Sequence, residues 1–217
     1  MASMEDGPAE SVARSRTFTN LRKVFKLKDK TVLDVGCSEG YYLQHFGRGS
    51  VGITLIDEHV EAGRRRGLTI VKANIENREF TLPQTFDVVW ANNLFEHMNA
   101  PHLFLVKVRE FLDADGTLIL GVPVLPRLPF LTRLRKFRGA YAVSHVNFFT
   151  RRTLIETICR GGWTVQQARP FYFKNILLDS LLNIIAPHIY VVARADTAFT
   201  YAEKRMKSLR EYGDTNQ

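Results

Sequence analysis

Apolar residues fall into short runs of strand length, separated by polar stretches, several of which carry a helical period. Thr31–Val35 is one such run, and Val51–Ile56, Leu68–Ala73, Phe86–Ala91 and Thr117–Val122 are others. Between them, Glu39–Phe46 and Glu58–Arg66 read as helices, the second closed by Gly67. Pro101–Leu112 reads as an amphipathic helix, with Pro at its start and Leu103, Val106, Phe111 and Leu112 on one side. The Asp115-Gly116 turn introduces the fifth strand. Further on, a helix over Arg151–Arg160 ends at Gly161-Gly162, followed by strands at Trp163–Gln167 and Ile189–Arg194. Strands alternating with helices predict a parallel sheet covered on both faces, an α/β architecture. The late apolar stretch Ile176–Ala193 is interrupted by Asp179, Asn183, Pro187 and His188. It predicts a buried helix and a strand rather than a membrane span.

Three segments break the pattern. Residues 1–17 are polar and unpatterned and predict a disordered tail. Residues 197–217 form a charged C-terminal tail with a surface helix. Residues 123–147 interrupt the domain of 18–196 with a run rich in Pro, Arg and aromatic residues, the composition of a lid or binding loop.

A length of 217 residues suits one α/β domain. The net charge of +8 favours an anionic substrate, a nucleic acid or an acidic membrane surface, unless the excess lies on tails and solvated helix faces. Cys37 and Cys159 offer neither a disulfide framework nor metal-ligand spacing, and the N-terminus lacks a signal-peptide core, so a reducing, cytoplasmic location is expected.

The most informative stretch is Val32-Leu33-Asp34-Val35-Gly36-Cys37-Ser38-Glu39-Gly40. A strand ends in a carboxylate and then a glycine turn, where backbone amides can approach a ligand closely. A dinucleotide fingerprint needs G-x-G-x-x-G, and from Gly36 two of those three positions fail. The form G-x-S-x-G, with an acid two residues before, resembles motif I of the class I S-adenosylmethionine (SAM)-dependent methyltransferases. Two later segments strengthen the resemblance: Ala91-Asn92-Asn93-Leu94-Phe95-Glu96-His97, and the ending Ser144-His145-Val146-Asn147-Phe148-Phe149-Thr150 with Gly161-Gly162-Trp163.

The resemblance implies a doubly wound, Rossmann-like sheet of seven mostly parallel strands in the order 3-2-1-4-5-7-6, with helices on both faces. It implies SAM as cofactor, bound by Asp34, Gly36, Cys37, Ser38 and Gly40 at the first turn. The second strand usually ends in an acid that holds the ribose; here Thr54 stands at that position. Asp57, three residues later, is either the substitute acid or the N-cap of the next helix. Asn74 and Ile75 occupy the adenine position, and Asn92 and Asn93 sit where they can meet the cofactor.

His97 and His145 are the candidate general bases; a purely structural His97 that holds the following loop is the competing reading. No metal is expected, because no partner ligands are spaced around His145 in the sequence. The acceptor is expected to be a small anionic molecule such as a sugar, glycan or lipid-linked precursor, methylated on oxygen or nitrogen. Arg and aromatic residues in 125–141 suggest peripheral contact with a membrane surface. Two other readings stay open: an RNA methyltransferase, and a non-catalytic partner that keeps the fold.

Overall fold

The computed structural model describes residues 8–183 and 185–215. Its strands are β1 (Val32–Val35), β2 (Val51–Thr54), β3 (Ile70–Lys72), β4 (Phe86–Asn92), β5 (Leu112–Leu125), β6 (Phe149–Thr150), β7 (Trp163–Arg169) and β8 (His188–Ala195). They form a sheet ordered β3-β2-β1-β4-β5-β8-β7, with the two-residue β6 beside β5. β1 to β5 run parallel, and β8 is antiparallel to both of its neighbours. With the short β6 set aside, this is the expected topology, the last strand β8 being inserted between β5 and β7.

The helices are α1 (Pro8–Arg14), α2 (Arg16–Val24), α3 (Asp57–Arg65), α4 (Pro101–Lys107), α5 (Arg151–Arg160), α6 (Ile176–Leu182) and α7 (Glu203–Thr215). Because side chains alternate along a strand, each central strand serves two cores. Val89 and Ala91 of β4 join Phe104 and Leu105 of α4 and Leu154 and Ile158 of α5 on one face. Val88 and Trp90 join Phe18 and Leu21 of α2 on the other. Trp90 is fully buried against the rings of Phe18, Tyr42, Phe46 and Tyr190. Each buried Phe or Leu contributes roughly 1.5–3 kcal/mol, so α2 is part of the domain rather than an appendage.

The structure corrects several expectations. Of the expected disordered tail, residues 1–7 lie outside the described residues, whereas 8–17 form α1 and the start of α2, with Val12 and Phe18 in the core. Glu39–Phe46 is not an α-helix; only one 3-10 turn forms, at Leu43–His45. The segment is short, starts at Gly40 with φ +83°, and ends where the Gly47 amide donates to the carbonyls of Leu27 and Lys30. The helix from Pro101 stops at Lys107 and tightens to 3-10 geometry over Val108–Phe111. The insertion holds two 3-10 stretches, Pro129–Arg133 and Arg135–Tyr141.

α6 forms but is not buried. Leu177 and Leu181 are 77% and 74% exposed, and its buried residue is Asp179, ion-paired with Arg169 of β7. A charge pair and the Asn175 side-chain cap hold this helix, and its leucines face outward. Among the described residues no helix is long and apolar enough to cross a membrane.

Candidate active site

Parallel strands place ligands beyond their carboxyl ends, where strand order reverses. Here that point lies between β1 and β4. The amides of Gly36 and Cys37 both donate to the Ile53 carbonyl at 3.0 Å, fixing the glycine turn to β2. Gly36 has φ +75°, and a Cβ there would come within 2.9 Å of Leu94. The turn after β4 therefore packs directly over the turn after β1.

A cavity of about 370 Å³ opens between these turns. Gly36, Ser38, Thr54, Asn74, Ile75 and His97 line it, together with His59, Glu76 and Leu94. Six of the sequence-nominated residues thus converge. A second cavity of about 320 Å³ is bounded by Asn93, Glu96, Pro123, Ala140, His145 and His188. A third, about 220 Å³, holds Tyr42, Asn92, Asn93, Tyr172 and Tyr190. The 3-10 turn Phe95–His97 sends His97 to the first cavity and Glu96 to the second.

The remaining nominated residues lie elsewhere. Cys37 is buried beneath the turn, and burial together with the nearby Asp34 pushes its thiol upward. Gly40 is a packing position against Leu68. Asp57 is neither on the cavity nor the N-cap of α3, a position taken by Ile56; its carboxylate pairs with Lys72 at 2.5 Å. The hydroxyl of Thr54 instead accepts from the Ile56 amide and lies 3.5 Å from Nδ1 of His59.

Asp34 lines none of these cavities but lies beneath the glycine turn with an unsatisfied oxygen. It is buried, its Oδ2 has no partner among the described residues, and burial pushes its carboxyl up to about 8. A positively charged group nearby would favour its ionised form. The cavity and its Asn74 amide suit a nucleoside, whereas the ribose end lacks a carboxylate at Thr54. Asn92 donates to the Tyr42 hydroxyl, and its Oδ1 is buried without a partner.

The histidine pair is organised by the backbone. Nδ1–H of His97 donates to the Ser144 carbonyl at 2.9 Å, and Nδ1–H of His145 to the Ala140 carbonyl at 3.4 Å. Each neutral ring then carries its lone pair on Nε2. Nε2 of His145 is 3.9 Å from Oε1 of Glu96. Glu96 is 1% exposed, both its oxygens lack hydrogen-bond partners among the described residues, and burial raises it to about 7.

No partner ligands are spaced around His145 in the sequence, but the fold brings Glu96 and His97 beside it. The sequence marks Glu96 as part of a motif but assigns it no role. His188 joins the second cavity unannounced by any motif; it donates from Nε2 to Asn93 Oδ1 at 2.9 Å and is lowered by burial to about 4. A lone histidine at the start of a strand carried no motif to mark it.

A glycine-turn cavity beside a histidine–carboxylate cavity, on this strand order, defines a class I SAM-dependent methyltransferase fold. A family model of methyltransferase domains matches residues 10–168, and the chain belongs to that family. It is 27% identical over 104 residues to the mitochondrial ubiquinone biosynthesis O-methyltransferase of Schizosaccharomyces pombe, spanning 42% of this chain and 37% of that protein. It is 30% identical over 111 residues to the tRNA U34 carboxymethyltransferase of Shewanella frigidimarina, spanning 46% and 33%. The chain thus covers about a third of the length of these relatives. A SAM-dependent methyltransferase from Clostridium acetobutylicum superposes with a TM-score of 0.64 at 9% identity, over 88% of this chain and 93% of that one.

Proposed function

We propose that this chain transfers the methyl group of SAM to an oxygen or nitrogen of a small acceptor held in the second cavity. The observation that carries this reading is the Phe95–His97 turn, which presents His97 to the glycine-turn cavity and Glu96 to its neighbour. Thr54, Asn74 and Ile75 hold the nucleoside, and Asp34, Gly36, Ser38, Asn92 and Asn93 act on the methionine end. SAM supplies an activated methyl group when bound, so the protein's main task is alignment, which can be worth about 7–11 kcal/mol. The Nε2 lone pairs of His97 and His145 are placed to take a proton from the acceptor. Cys37, Gly40 and Asp57 support the turn and α3 without touching the ligand.

Calorimetric titration with SAM and S-adenosylhomocysteine tests the reading. Micromolar binding, roughly −8 kcal/mol, supports it; no binding at millimolar ligand sinks it and leaves a non-catalytic partner as the alternative.

The acceptor's nature rests on the rim. Leu128, Phe130 and Leu134 of the insertion and Leu177 and Leu181 of α6 are exposed at the carboxyl end of the sheet, beside exposed Arg127, Arg133 and Arg135. Between Gly116 and Ile155 the sequence has no Asp or Glu. We read this as a surface for an anionic, partly apolar acceptor, with 125–141 and α6 resting on a membrane. Co-sedimentation with anionic but not zwitterionic vesicles is the expected result. An RNA acceptor is the second reading, favoured by the tRNA-modifying relatives; a tRNA shift at moderate salt with no vesicle binding would select it. The free thiols of Cys37 and Cys159 agree with a reducing, cytoplasmic setting.

A further inference from the structure

We infer that Glu96, His97 and His145 form a binding site for a divalent transition-metal cation of the Zn²⁺ type. One carboxylate oxygen and two imidazole nitrogens lie within 4.8 Å of one another. Three features separate this trio from a chance cluster. First, Glu96 is almost fully buried and neither of its oxygens has a hydrogen-bond partner among the described residues, so both are available to a ligand. Second, both histidines donate Nδ1–H to backbone carbonyls, the orientation that fixes the tautomer and leaves Nε2 free for a metal. Third, the trio is held from outside itself. The Glu96 carbonyl accepts from the amides of Val146 and Asn147, and the Asn147 side chain also donates to the Met98 carbonyl.

Two imidazoles and a carboxylate suit Zn²⁺ and its neighbours better than Mg²⁺, which prefers oxygen ligands and retained water. Ligands about such an ion sit at about 2.0–2.2 Å from it and about 3–3.5 Å from one another. From the 4.8 Å spread of the three atoms, closing the set requires the half-buried His97 ring to move inward by about an ångström. A buried carboxylate with no hydrogen-bond partner gains from a cation, which returns the stabilisation lost with water.

Three protein ligands leave a coordination position open toward the cavity of Asn93, Pro123 and His188. The use of that position rests on the methyl-transfer reading. An acceptor hydroxyl on the ion loses its proton to solvent, because a metal-bound oxygen is more acidic. Its oxygen lone pair then forms the O–CH₃ bond, the C–S bond of the donor breaks, and that electron pair stays on sulfur. With the ion bound, the two Nε2 atoms serve as ligands rather than bases.

The test uses the full, untagged chain, stripped with chelator and titrated with Co²⁺ in an absorption cell and with Zn²⁺ by calorimetry. One equivalent should bind with micromolar affinity or better and give visible Co²⁺ bands of low coordination number. Glu96→Gln and His145→Ala should each weaken binding at least about 100-fold. His97→Ala, at a less buried position, provides the same readout if either of the others fails to fold. No binding to the wild type at 100 µM metal, or equal binding by variants that melt normally, overturns the site. SAM titration of the metal-free chain runs beside it. Co²⁺ binding without SAM binding supports the site and overturns only the methyl-transfer reading; SAM binding without Co²⁺ binding does the reverse.

Discussion

Nε2 of His145 stands 3.9 Å from Oε1 of Glu96, across 49 residues of sequence. No regular element carries His145 there. The return of the insertion is clasped onto the Phe95–His97 turn by the Val146 and Asn147 amides, at 3.1 and 2.9 Å from the Glu96 carbonyl. The arrangement is thus a property of backbone hydrogen bonds that Asn147 completes with its side chain, 2.7 Å from the Met98 carbonyl.

That clasp predicts a division between binding and rate. His145→Ala should lower kcat by about 10²–10⁴ while leaving the SAM dissociation constant within threefold. Asn147→Ala, which touches neither cavity, should lower kcat less, by about tenfold, through misplacement of His145. Equal kcat for the wild type and His145→Ala would remove His145 from the reaction.

Above about pH 6.5, where the buried His188 is neutral in both states and no longer opposes the trend, stability of the ligand-free chain should fall as pH rises. Burial holds Asp34 up to about 8 and Glu96 up to about 7. The unfolded chain releases both protons near pH 4, so between that value and the folded ones the folded state binds more protons. The stability it loses across that window is on the order of a few kcal/mol, and the loss levels off above about pH 8. Calorimetric melting from pH 6.5 to 9 checks this. Asp34→Asn should flatten the profile, raise Tm at pH 8 and weaken SAM binding; a wild-type Tm that climbs over this range would contradict the account.

The ribose end gives a paired prediction. Asp57 is engaged with Lys72 away from the cavity, so Asp57→Ala should change SAM affinity by less than twofold. Thr54 faces the cavity, and Thr54→Asp should tighten SAM by about 1 kcal/mol by supplying a charged acceptor. Titration of both variants decides whether the missing acid lies at the strand end or in the helix.

A backbone approach at Gly121 is the fourth case. A Cβ there would overlap Asn92 Oδ1 and the Tyr190 ring. Gly121→Ala should cost about 1–3 kcal/mol of stability and displace Asn92 from its hydrogen bond to Tyr42. An unchanged denaturation midpoint would show that β5 and β8 can part locally.

Much of this protein was determined by sequence alone. The alternation of apolar runs and helical periods specified the parallel sheet, because burying both faces demands it. The glycine turn at Gly36 and Ser38 and the Glu96-His97 segment were legible as motifs, because local turn geometry depends on neighbouring residues. What the tertiary structure decided lies wherever distant segments meet. Asp57 found Lys72, so a carboxylate at a plausible spacing was not at the cavity. Asp179 found Arg169, which turned an apolar helix outward although its composition read as buried. Residues 8–24 found a hydrophobic face around Trp90, so a polar segment became ordered. The companions of His145 came from a loop closure of 49 residues, and no local pattern encodes which backbone carbonyl such a loop will reach.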